Sequence, residues 1–255
     1  RVLLPLLLES LEIVTLFLCG LNFKKNIQNM KIKIFNFLTK PYIVVLTMIT
    51  GVLLSLSIDR NFNFFTGLTV ALLILWGSNF DWSRFSLGKR MTFKTVLKSL
   101  LITLLLAIGF YIFESILEMY FGKIDVSTFN NVRGNLEQYI ILMIIVWIFA
   151  AFGEEFIYRG YYMKELAKLF GNTNKAWLIS AIVVSVYFGV SHAYQGVTGI
   201  IAVTLWHLCI SIIFFKNKNN LISPILIHGF YDTIGVTLLY INQDRIVSDW
   251  IQQLF

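Results

Sequence analysis

Charge is scarce in this chain of 255 residues. Only 14% of them are charged and 57% are hydrophobic, too little polar surface to cover a water-soluble domain. A soluble globular fold is therefore excluded, and an all-α integral membrane protein is implied. Proline occurs three times (Pro5, Pro41, Pro224), and no low-complexity segment or internal repeat stands out. Cysteine occurs twice, at Cys19 and Cys209, each inside an apolar run and without CxxC spacing. That rules against a disulfide framework or a zinc ribbon and leaves packing as their role. Acids are fewer than bases, 14 against 21, for a net charge of +7. Such an excess can mark a nucleic-acid binder, but the positions of the cations argue for another cause.

What the chain has instead is long apolar runs, at about 2–19, 41–58, 62–77, 95–113, 139–153, 176–191, 200–215 and 221–241. They predict about eight transmembrane helices. Several are shorter than the ~20 residues that cross a bilayer, so tilt or buried flanking residues must make up the difference. Five Lys or Arg fall in 22–40, five in 78–98, four in 154–175 and two in 216–220, whereas the alternate connections hold few. This alternation is the positive-inside pattern of a multi-pass cell-membrane protein, with the basic connections in the cytoplasm. The basic balance thus reports topology and calls for lipid, with no nucleic acid as a partner.

The chain opens at Arg1, and its first run carries Glu9 and Glu12. It lacks the charged n-region and small-residue cleavage site of a signal peptide, and the true start is expected further upstream. Residues 21–40 mix lysines with apolar residues, as an interfacial helix would, and 122–138 reads as an outward-facing loop. Three regions are expected: N-terminal helices over 1–138 without a motif, a core over 139–241, and a tail over 242–255.

The core differs from the rest because its apolar segments carry ionisable groups, which are costly in a bilayer and usually face a cavity or a partner. FGEEFIYRG, 152–160, follows fifteen uncharged residues that offer no stop signal. The helix is therefore expected to run on to about Phe170, with Gly171 and Asn172 as its cap. On it Glu155 and Arg159 are four apart and can pair, while Glu154 points elsewhere. His192 ends FGVSH, and His207 lies in LWHL within forty residues free of Asp, Glu, Lys and Arg. His228 and Asp232 share a helix face in ILIHGFYD. Counting from the turn at 171–175, Glu154 and His192 fall level at ~25 Å, while His228 lies ~12 Å past the basic turn ending at Asn220. The depths agree if the hairpin tip projects into the cytoplasm. That puts the site in the inner leaflet, opening to the cytoplasmic side. A carboxylate and an imidazole in such a cavity form a general-base pair, and a second histidine with an acid can serve an oxyanion.

These residues resemble the CAAX prenyl endopeptidase type II and bacteriocin-processing (CPBP, or Abi) family of intramembrane glutamate proteases. Its motifs EExxxR, FxxxH and HxxxN or HxxxD are matched in order by Glu154, Glu155 and Arg159, by Phe188 and His192, and by His228 and Asp232. The resemblance covers about 139–241. It implies that Glu154 with His192 activates water, that His228 and residue 232 hold the oxyanion, and that Glu155 with Arg159 supports them, with no cofactor required. Asn is usual where this chain has Asp232, and an ionised aspartate would repel an oxyanion. The implied substrate is a membrane-associated peptide or lipidated protein, cleaved at a CAAX-type tail, a bacteriocin leader or a signalling peptide. Two other readings use the same residues. Glu154, His192 and His228 could instead ligate Zn2+, and the fold could act without catalysis as a membrane scaffold or bacteriocin self-immunity protein.

Overall fold

The computed structural model describes residues 25–216 and 220–254; the expected first span and Cys19 lie outside the described residues. Among the described residues all regular structure is helical. In chain order the helices are α1 (Lys25–Leu38), α2 (Ile43–Ser57), α3 (Phe62–Gly77), α4 (Phe93–Phe121), α5 (Leu136–Leu169), α6 (Asn174–Ser191), α7 (Gly196–Lys216), α8 (Ile222–Tyr240) and α9 (Ile246–Gln252). Five of them, α4 to α8, are long and apolar enough to cross a membrane. α2 and α3 have 15 and 16 residues, short of the ~20 a span needs, so by length and composition the described residues supply five spans, or six if the bent pair α1 and α2 is one, of the eight expected. α1 and α2 meet at an 83° bend around Pro41, which lets α1 lie across the direction of the spans.

Helix ends follow local chemistry. Thr92, Asn135 and Thr173 cap α4, α5 and α6 by accepting from the amides of Thr95, Gln138 and Ala176, which satisfies a donor that the first turn leaves free. α5 ends at the turn predicted for it, where Gly171 (φ 94°) and Asn172 (φ 55°) take the left-handed conformation. Outward faces carry apolar stripes at helical spacing, such as Leu178, Ile182, Val186 and Val190 on α6. In water these would be a liability, and in lipid they are the expected outer surface.

The buried centre of the molecule is the second half of α5. Every residue from Glu155 to Met163 is buried. Around them pack Val44 and Met48 of α2, Ile74 and Leu75 of α3, Trp177 and Phe188 of α6, and Phe214 of α7. Tyr161 and Tyr162 are core residues here. α6 and α7 pack closely because Gly189 has no side chain, and a Cβ there would lie 1.8 Å from Thr204 Oγ1 and 2.8 Å from the Ile200 carbonyl.

Candidate active site

α5 is not a uniform α-helix. Val146–Glu154 and Tyr158–Met163 are wound as π-helix, a form that gathers at functional sites because it shifts side chains off the regular 3.6-residue repeat. Between the two π segments lies the regular turn Glu155–Ile157.

Glu155 and Arg159 are both fully buried and paired, with Arg159 Nη1 donating to Glu155 Oε1 at 2.5 Å. The other guanidinium arm, Nη2, donates to the His207 carbonyl of α7 at 2.8 Å. The same Glu155 oxygen accepts from His228 Nδ1 at 2.8 Å. α5, α7 and α8 are thus joined through one ion pair. With its Nδ1 proton committed to Glu155, the imidazole turns Nε2 toward two further carboxylates, Asp232 Oδ2 at 3.4 Å and Glu154 Oε2 at 3.8 Å. His228 stands among three acids from two helices.

His192 ends α6. Its Nδ1 donates to the Phe188 carbonyl one turn back at 2.9 Å, which leaves Nε2 as an acceptor. No hydrogen bond or ion pair joins it to Glu154, so the direct Glu154–His192 pair expected from their equal depth is not formed, and His228 is the imidazole beside Glu154. His192 and Glu154 nevertheless line one cavity of about 790 Å³, together with His228 and Asp232. Glu155 and Arg159 lie outside that lining. So does His207, a packing residue whose Nδ1 donates to Ser185 at 2.9 Å and whose ring lies 4.4 Å from that of Phe188.

Several lining residues escaped sequence reasoning. Glu114 on α4 accepts from Tyr231 Oη at 3.1 Å, and the Tyr231 ring stacks on Trp206 with centroids 3.8 Å apart. Glu118, one turn further, takes two bonds from Arg245 and one from Ser248. The signal was available, since acids four apart inside the apolar run of α4 are as costly in a bilayer as those of α5.

The lining also bears on where the cavity opens. It includes Arg60, Val126, Thr128, Gln195, Asp244 and Val247, and among the described residues it includes none of 25–40, 78–98, 163–175, 216 or 220. The expected opening toward the basic connections is therefore not what the lining gives. The depth count from the basic turns located the polar residues but could not show which connections line the cavity, while Phe85, Phe156 and Leu221, toward the basic connections, are buried.

Among the described residues no three His, Cys, Asp or Glu side chains come together as a metal-holding group.

Residues 136–234 match the family model described as type II CAAX prenyl endopeptidase, Rce1-like. The match begins with α5, ends two residues past Asp232, and falls in the family that the motif order resembles. No curated protein and no solved structure matches the chain.

Proposed function

We propose that this multi-pass membrane protein is an intramembrane endopeptidase that hydrolyses a peptide bond of a membrane-associated peptide, with Glu154 activating the water. The observation that carries this reading is the position of His228, held by Glu155 through Nδ1 and turned by Nε2 toward Glu154 and Asp232 on the wall of an apolar cavity. The family match to a type II CAAX endopeptidase over the same segment supports it.

In this mechanism a water beside Glu154 gives its proton to the carboxylate as its oxygen attacks the scissile carbonyl carbon. The His192 Nε2 lone pair is a second acceptor for that water. The carbonyl oxygen gains the negative charge and is stabilised by the Nε2 proton of His228, acting as the imidazolium, and by Asp232 acting as the neutral acid. As the C–N bond breaks, Glu154 returns the proton to the leaving amine nitrogen. Arg159 touches none of the reacting atoms; it pairs with Glu155, and Glu155 holds the Nδ1 proton and the aim of His228. The functional unit is 139–241 within a bundle of about eight spans in the cell membrane, with 1–138 and 242–255 flanking it.

The test is cleavage of lipid-reconstituted peptides, both CAAX-type and leader-type, followed by mass spectrometry. Glu154→Gln is expected to slow product formation at least ~100-fold with folding unchanged, and chelators are expected to have no effect. A cellular phenotype that survives Glu154→Gln together with His192→Ala would instead support a scaffold or immunity protein.

A further inference from the structure

The two ends of the bundle differ in charge, and the cavity belongs to one of them. At the first end, Arg60 lies over the Tyr194 ring at 4.5 Å and the Asp125 amide donates to the Gln195 carbonyl. There too the Gly134 amide donates to the Tyr240 carbonyl, and Arg133 pairs with Asp244. The connections 58–61, 122–135, 192–195 and 241–245 are therefore neighbours. At the other end, Arg84 lies over the Phe35 ring, Lys164 donates to the Arg84 carbonyl and the Leu221 amide donates to the Ser86 carbonyl. That gathers 25–40, 78–98, 163–175, Lys216 and Asn220.

Arg159, on a basic segment by sequence, is buried in the centre and drops out of the topological count. Thirteen described Lys and Arg then fall in the second group of connections, and four, Arg60, Lys123, Arg133 and Arg245, in the first. Lysine and arginine in short connections are retained on the cytoplasmic side. A disparity this large assigns the second end to the cytoplasm, and every connection lining the cavity belongs to the first.

We infer that the cavity is reached from the extracytoplasmic side, so that its substrate is a peptide presented outside the cytoplasm, such as an exported peptide lying on the outer leaflet, and not the lipidated tail of a cytoplasmic protein. The inference rests on the peptidase reading for the word substrate, while the side of access rests on geometry and charge alone. The walls suit such a peptide. Phe64, Phe149 and Trp206 offer apolar contact, and five carboxylates, Glu114, Glu118, Glu154, Asp232 and Asp244, share the lining with two guanidiniums, Arg60 and Arg245.

The experiment has two arms. In the first, single cysteines in a Cys19→Ser, Cys209→Ser background are probed in intact cells with a membrane-impermeant maleimide. Lys123→Cys and the cavity-lining Thr128→Cys should label at once, and Lys94→Cys and Lys175→Cys only after permeabilisation; the reverse pattern overturns the inference. In the second, a peptide is added to spheroplasts and to inside-out vesicles, with Glu154→Gln as the blank. Glu154-dependent cleavage in spheroplasts alone supports the inference, and cleavage in inside-out vesicles alone overturns it. Expected labelling with no Glu154-dependent cleavage in either preparation removes the substrate proposal together with the peptidase reading, while leaving the side of access standing.

Discussion

Glu155 and Asp232 show how adjacent or facing acids separate into roles. Glu155 is bound on one side to a guanidinium and on the other to His228, so Glu155→Gln leaves Arg159 as an uncompensated buried charge, a change that costs about 3–5 kcal/mol. Adding Arg159→Met should restore much of the thermal stability, read as the unfolding midpoint in detergent. Activity should stay low, because His228 has still lost its carboxylate acceptor; recovered activity would reduce Glu155 to a packing group. For Asp232 the account requires a neutral donor. Asp232→Asn, which keeps a donor at that point, is expected to retain cleavage within about tenfold, while Asp232→Ala loses about 10²-fold or more. Loss in both variants would show that the aspartate works as an anion. At this scale the sequence was legible where spacing alone decided the matter, as in the Glu155–Arg159 and His228–Asp232 pairs. It was not legible across helices. That His228 and not His192 approaches Glu154 depends on how α5, α6 and α8 rotate against one another, which no single segment encodes.

α5 carries the site because it is continuous, as the absence of any stop between Tyr139 and Phe170 predicts, and because its turns widen at Val146–Glu154 and Tyr158–Met163. The continuity could be read from residue order, but the widening could not. A π-turn is set by what surrounds the helix, and Phe156 to Met163 are enclosed on all sides. Helix contact also depends on missing side chains. The backbones of α6 and α7 approach where Gly189 faces Thr204 and the Ile200 carbonyl, as small residues allow in membranes. Thr204 could turn aside for a methyl group, but a carbonyl at 2.8 Å cannot without moving α7. Gly189→Ala is therefore expected to cost about 1–3 kcal/mol and to lower the unfolding midpoint. Because His192 follows three residues later, it should also lower cleavage at temperatures where the protein is still folded.

For the whole molecule, the apolar composition fixed the class, and the alternation of charge fixed which connections share a side. The opening of the cavity depends on three dimensions, because 122–135 and α9, far apart in the chain, together frame it. That frame is tied by the Arg133–Asp244 pair, with bonds of 2.5 and 2.8 Å, which hold the Asp244 carboxyl below its ordinary range. A carboxylate depressed in the folded state adds stability above its unfolded pKa of about 3.9 and loses it as the pH falls through the lower folded value. Asp244→Asn should therefore lower stability at pH 7, by less than about 1 kcal/mol for a pair only partly buried. The difference from the parent protein should close in strong acid, and a difference that persists there would assign the effect to packing.

The central claim is that Glu154 drives water onto a peptide bond inside this cavity. It is tested most directly by incubating the purified, lipid-reconstituted protein with a peptide mixture in 18O-labelled water and analysing the products by mass spectrometry. The account predicts new C-termini carrying one 18O atom, formed by the wild-type protein and reduced at least ~100-fold in a folded Glu154→Gln variant. Equal labelled product from the two proteins would contradict it.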